Sequence, residues 1–191
     1  MGVQSSFGFT LGRMEKGRLN KITDVPGVRV GHVTRHEGGI NTGVTAILPH
    51  TGDMFHDKCP AASHVINGFG KSIGLVQVNE LGTIETPLLL TNTLSVGTAA
   101  TALVKYMLER NADIGRDTGT VNPMVFECND GHLNDIRGLH VTEQNALDAL
   151  ANVADDFEEG AVGAGSGMSC YSLKGGIGSA SRVFELYGNK Y

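Results

Sequence analysis

The chain has 191 residues, is 40% hydrophobic and 18% charged, and carries 20 acidic against 15 basic residues for a formal net charge of −5. That balance excludes a disordered or charge-dominated polypeptide and argues against a polyphosphate partner such as nucleic acid. It allows one domain with a substantial core, or part of a larger one, and no unbroken apolar run is long enough to cross a bilayer.

The opening MGVQSSFGFTLGRMEKGRLN lacks the apolar block of a secretory signal. Its first six residues fit the loose pattern for N-myristoylation, but no polybasic stretch follows, so the expected location is cytoplasmic. GVRVGHVT (27–34) alternates as a strand, with Val28, Val30 and His32 on one face and Arg29, Gly31 and Val33 on the other. The turn chemistry of Asp24-Val25-Pro26-Gly27 precedes it. GVTAILP (43–49) predicts a second strand stopped by Pro49. SHVINGFG (63–70) and IGLVQVNE (73–80) read as further strand or turn segments, and TPLLLTN (86–92) as a buried strand.

A helix is expected from Leu94 to Arg110, with Thr93 or Ser95 as its cap and small residues at Ala99, Ala100 and Ala102 that let it lie close on a sheet. PMVFE (123–127) predicts another strand. A second helix is expected from Glu143 to Phe157, capped by Thr142, striped by Leu147, Leu150, Ala154 and Phe157, and stopped by Gly160. Glycine is the outlier at 27 residues, against roughly 7% of an average protein. Many of them crowd residues 158–182, where Met168, Tyr171, Leu173 and Ile177 need burial. An ordered loop lining a cleft is expected there. No domain boundary or internal repeat breaks residues 1–191, so the elements describe one α/β layered domain.

Several motifs fail on inspection. GFGKS lacks the glycine that a phosphate loop needs five positions before Gly70, where Val65 stands. GAGSGMS is not followed by a helix, as a dinucleotide fingerprint requires. Neither Ser95 nor Ser166 has the first glycine of a nucleophile elbow. Cys59, Cys128 and Cys170 are odd in number and far apart, which indicates reduced thiols rather than a disulfide or zinc framework.

The stretch VFECNDGHLNDIRGLH (125–140) packs Glu127, Cys128, Asn129, Asp130, His132, Asn134 and Asp135 into nine positions after a short apolar run. His132 and His140 are not spaced as a helical pair, and the oxygen spacing of a calcium loop is absent, so a metal site is not indicated. A carboxylate at the end of a buried strand, Glu127, instead suits an ammonium group where water is excluded. Asp130, Asn134 and Asp135 can tie up the turn's backbone.

Five segments, RLNKITDVPGVRVGHVT (18–34), TGVTAILPH (42–50), VINGFGKSIGLVQVNELGTIETPLLLTNTLSVGTA (65–99), VNPMVFECNDGHLNDIRGLHV (121–141) and GAGSGMSCYSLKGGIGSASR (163–182), together resemble the L-aminopeptidase/D-esterase family of the DmpA type, which includes the β-peptidyl aminopeptidases. The resemblance implies an αββα four-layer sandwich similar to the N-terminal-nucleophile hydrolases. It implies a precursor that cuts itself once, exposing a serine nucleophile whose own α-amino group acts as base, with no metal or organic cofactor. The substrate would be a short peptide, amide or ester with a free amino terminus. The Gly–Ser junction of the family lies beyond the glycine-rich stretch. Cutting at Gly178–Ser179 would leave only the thirteen residues Ser179–Tyr191, too few for a second catalytic layer. Residues 1–191 are therefore expected to be the N-terminal, α-subunit portion, with no nucleophile of their own. A β-subunit from the same precursor would complete it, in an oligomer of αβ units without nucleic acid or membrane partners. By carry-over, Glu127 would face the substrate ammonium, His132 would stand near the active site, and Asn92 would lie in the cleft wall. Asp130 and Asn134 would brace the turn. A self-cleaving acyltransferase and a non-catalytic scaffold subunit are the alternatives.

Overall fold

The computed structural model describes residues 12–191; the myristoylation-like opening lies outside the described residues. Its centre is a mixed four-stranded sheet in the order β1 (Arg29–Glu37), β2 (Ile40–Leu48), β3 (Leu88–Asn92) and β4 (Met124–Cys128). β1 and β2 form an antiparallel hairpin from Arg29 opposite Leu48 to Glu37 opposite Ile40. β2 pairs antiparallel with β3, and β3 pairs parallel with β4, with Leu89 beside Val125 and Thr91 beside Glu127. Between them in the chain run helices α1 (Leu75–Leu81) and α2 (Val96–Arg110), and after β4 comes α3 (Glu143–Ala151). A parallel pair needs a long crossover, and α2 makes it.

One face of the sheet carries the main core. Val44, Ala46, Leu89 and Val125 meet Ala99, Ala102 and Leu103 of α2 and Ala146, Ala149 and Leu150 of α3. Leu89 and Leu103 have no exposed surface, and each contributes about 1.5–3 kcal/mol by leaving water. The alanines bring the layers close, and so does Gly31, where a Cβ would stand 2.3 Å from Ala149 O. Even alanine at 31 would push α3 off the sheet.

The opposite face is covered by two unlike pieces. Below β3 and β4, Val78 of α1 joins Met54, Ile84 and Met124, with Leu88 and Phe126 against them. Over β1 and β2 lies the glycine-rich segment. Gly163 N donates to Thr34 Oγ1 (2.8 Å) and Ala164 N to Thr45 Oγ1 (3.1 Å). Gly160 and Ile177 exchange backbone bonds of 2.7 and 2.8 Å, and a Cβ on Gly165 would come within 2.4 Å of Ile177 N. The segment is thus an ordered layer, as expected. Its burial is uneven: Met168 is covered, but Tyr171 and Leu173 stand 96% and 72% exposed on the tip of a hairpin.

Four expectations change. Residues 75–81 are helical rather than extended, bracketed by Gly74 (φ 100°) and Gly82 (φ 65°); only Ile73 pairs in sheet fashion, with Val125. Residues 63–70 form no regular element and leave Ile66 and Phe69 exposed. The last helix starts as read, with Thr142 Oγ1 accepting from Asn145 N and Asn145 Oδ1 from Thr142 N. It stops at Ala151 rather than Phe157, because Ala154 leaves the helix to exchange two 3.0 Å bonds with Val30. Ser95 stands at the N-cap of α2, but its side chain makes no cap bond; the side-chain cap comes one turn earlier, where Asn92 Oδ1 accepts from Ser95 N (3.0 Å) ahead of the Thr93–Ser95 turn.

Candidate functional site

Parallel pairing brings the carboxyl ends of β3 and β4 to one edge of the sheet, and Glu127 stands there, half-buried. Its two oxygens are oriented from two sides. Oε2 accepts from Thr93 Oγ1, in the 3-10 turn (Thr93–Ser95) that leads into α2. Oε1 accepts from Lys71 N (3.2 Å), in the irregular segment before α1. A carboxylate near the first turn of a helix is favoured by the helix dipole. It has about four acceptor positions, so two remain for a ligand.

Glu127 borders a hollow of about 330 Å³. Leu90 and Phe126 of the sheet, and Met168, Cys170 and Ile177 of the glycine-rich layer, give it a mainly apolar wall. Cys128 also lines it. Burial pushes the Cys128 thiol up, and the charges of Glu127, Asp130 and Cys170 add to the rise. A nucleophilic cysteine needs the opposite shift, so Cys128 is not set up as one.

The turn after β4 is built from inside. Asp130 is 1% exposed; its Oδ1 accepts from Asn134 Nδ2 (3.0 Å), while Oδ2 is buried with no hydrogen-bond partner among the described residues. Asn134 Oδ1 accepts from Asn41 N (2.9 Å), and Asn41 Nδ2 donates to Leu133 O (2.7 Å). Asp130 and Asn134 therefore tie the turn to the β1–β2 hairpin. His132 is exposed, makes no hydrogen bond to another described residue, and lies in an adjoining recess with Ser169 and Lys174. Asn92 does not face the hollow. It is 1% exposed; its Oδ1 caps the Thr93–Ser95 turn, and its Nδ2 donates to Thr42 Oγ1 (2.9 Å). Ser179 Oγ accepts from Ile22 N (2.6 Å). No cluster of three metal-binding side chains occurs among the described residues.

Sequence reasoning misses three participants. Thr93 reads only as a helix cap, the Lys71 amide belongs to a segment with no pattern, and Lys174 is hidden among glycines. Thr93 and Lys71 reach Glu127 through tertiary contacts that no local spacing encodes, and Lys174 lines the adjoining recess.

Comparison with known proteins decides the lineage. The model of peptidase family S58 matches residues 20–191. The chain belongs to that family. β-Peptidyl aminopeptidase BapA of Sphingosinicella microcystinivorans is 40% identical in an alignment of length 185 that covers 92% of this chain and 46% of that protein. Among solved structures, the PH0078 protein of Pyrococcus horikoshii OT3 superposes with a TM-score of 0.96 at 54% identity, over 100% of this chain and 56% of that one. The L-aminopeptidase D-Ala-esterase/amidase of Ochrobactrum anthropi, a prototype for the serine aminopeptidases and a variant of the Ntn hydrolase fold, superposes at 0.82 with 37% identity, over 94% and 53%. This S58 chain thus spans about half the length of these relatives. Its α/β fold is shared with an Ntn-hydrolase relative, and the resemblance carried by the five ordered segments holds.

Proposed function

We propose that the protein is a serine-type aminopeptidase and amidase, with esterase activity, acting on short peptides, amides or esters that carry a free amino terminus. Residues 1–191 act as the N-terminal, α-subunit portion of a self-cleaving precursor. The observation that carries this reading is Glu127, oriented by Thr93 and the Lys71 amide at the rim of an apolar hollow. An ammonium placed there gains charge-assisted hydrogen bonds in partly excluded water. The neighbouring apolar wall can take the side chain of the N-terminal residue.

Membership in family S58 supports assigning the attacking serine to a β-subunit from the same precursor. That serine's own α-amino group, with an ordinary pKa of about 8, is a suitable base near neutral pH. The serine forms an acyl-enzyme, the amine leaves, and water releases the acid. The helix layer and sheet of this chain would be two layers of an αββα sandwich that the β-subunit completes. The αβ unit is taken to work in the cytoplasm as an oligomer. His132 would lie beside the substrate, while Asp130, Asn134 and Asn92 hold the cleft's shape.

Glu127→Gln in the intact protein tests the reading. It should lower kcat/KM for free-amine substrates by on the order of 10- to 100-fold, the worth of one hydrogen bond to a charged group. N-acetylated esters should lose far less. Equal losses for both substrate types would remove Glu127 from ammonium binding.

A further inference from the structure

The hollow at Glu127 is walled by a short hairpin in which Ser169 pairs with Lys174 and Cys170 with Leu173. Past Ser169 the surface dips again. One recess, of about 510 Å³, is lined by His132, Leu133, Ser169, Ser172, Leu173 and Lys174. The next, of about 420 Å³, shares Leu133 and Lys174 with it and adds His36, Asn41 and Ser166. Ser169 borders both the first recess and the Glu127 hollow, so the three are steps of one groove. The two ends of that groove differ in charge. Glu127 stands at one, whereas no acidic side chain lines either recess at the other, where Lys174, His132 and His36 gather.

Lys174 is fixed but not neutralised. Its Nζ donates to Gly165 O (3.0 Å) and Gly175 O (2.5 Å), both carbonyls of the glycine-rich layer. An ammonium has three protons, so one remains for a ligand. Loss of solvent pushes Lys174 below the usual lysine value. A carboxylate beside it would push the other way.

We propose that the groove binds short peptides as zwitterions, the α-ammonium at Glu127 and the free α-carboxylate at Lys174, with His132 as an adjoining donor. The inference rests on the aminopeptidase reading and adds to it a preference, among its substrates, for peptides of two or three residues with a free carboxyl terminus. Such a peptide reaches roughly 7–11 Å when extended, enough to cross a hairpin whose strands lie about 5 Å apart.

The test compares kcat/KM of the intact, processed protein on leucyl-glycyl-glycine and on the same peptide as its C-terminal amide. Wild type should prefer the acid by about tenfold, as for one charge-assisted hydrogen bond at a partly exposed site. Lys174→Met should bring the acid-to-amide ratio close to one, and Lys174→Arg, which keeps the charge, should recover most of it. The wild-type ratio is read without any variant, so misfolding of Lys174→Met does not blunt the experiment. A wild-type ratio near one overturns the carboxylate site while leaving aminopeptidase activity in place. Cleavage of neither peptide overturns both readings. A ratio unchanged in Lys174→Met overturns the assignment to Lys174.

Discussion

Thr45 is the point at which the glycine-rich layer is fastened to the sheet, and its hydrogen bonds can be followed proton by proton. Glu158 O only accepts, so His32 Nε2 carries the proton it donates there (3.1 Å). His32 Nδ1 is then the acceptor from the Thr45 hydroxyl (2.9 Å), and Thr45 Oγ1 in turn accepts from Ala164 N (3.1 Å). Burial supports the neutral ring by pushing His32 below the ordinary histidine value, against the bond to Glu158 and its charge. Thr45→Val keeps the shape and removes the hydroxyl at a residue 1% exposed. Two hydrogen bonds go, at about 1 kcal/mol each, and the buried Ala164 amide left unpaired costs about 1–3 kcal/mol, of which the first bond is part. The expected loss is about 2–4 kcal/mol. Thr34→Val removes the single bond from Gly163 N (2.8 Å) at an exposed residue, where water can replace it, and should cost only about 1 kcal/mol. Urea unfolding gives both values, and native-state hydrogen exchange at the Ala164 amide reads the local opening. A Thr45→Val variant within about 0.5 kcal/mol of wild type, with Ala164 protection intact, would refute the relay, as would a larger loss for Thr34→Val.

Two more outcomes follow from other parts of the molecule. His56 donates to Asp53 Oδ2 (2.8 Å) and Asp113 Oδ2 (2.9 Å), and these bonds raise its pKa above the ordinary 6.5. A raised pKa means the stabilisation is complete below the unfolded value and disappears as pH climbs through the folded one. Asp113 is lowered chiefly by the bond from His56, and Asp53 is lowered although burial opposes its bonds; their share is lost only at the acid end, as pH falls through those depressed values. His56→Gln should therefore cost stability at about pH 6 and little at about pH 9, measured by urea unfolding at both; an equal cost would refute the bridge. At the exposed hairpin tip, Tyr171 and Ser172 have φ of 51° and 63°, a left-handed pair that Asn–Gly adopts most readily. The double substitution Tyr171→Asn and Ser172→Gly should stabilise by about 1–2 kcal/mol, and a thermal or urea midpoint that falls would contradict the turn.

Much of this architecture is written locally. Strands β1 to β4 are legible because Val28–Val33 alternates and because Leu88–Leu90 and Met124–Phe126 are short apolar runs between turn residues. The start of α3 is legible because Thr142 and Asn145 form a reciprocal cap within four residues. α1 is not, because LVQVNEL alternates like a strand while only Gln77 and Val78 turn inward. The end of α3 depends on a strand more than a hundred residues earlier, since Ala154 answers to Val30. In the site, the place of Glu127 at a strand end is readable from its own neighbours. Its partners Thr93 and Lys71 lie 34 and 56 residues away, and only the folded chain brings them to it. Lys174 has no flanking pattern at all, because its partners are carbonyls, which every residue has.

The pairing of β3 with β4 sets how this site tolerates change in length. Thr91 lies beside Glu127 because the two strands are in phase, and side chains in a strand alternate sides at every residue. The linker from Asn111 to Pro123 could gain or lose residues and leave that phase alone. One codon gained inside β4 would set Phe126 beside Thr91 and take the carboxylate away from Thr93 and the rim of the hollow. Insertions in the exposed stretch 115–120 spare the register, and one within the strand destroys it.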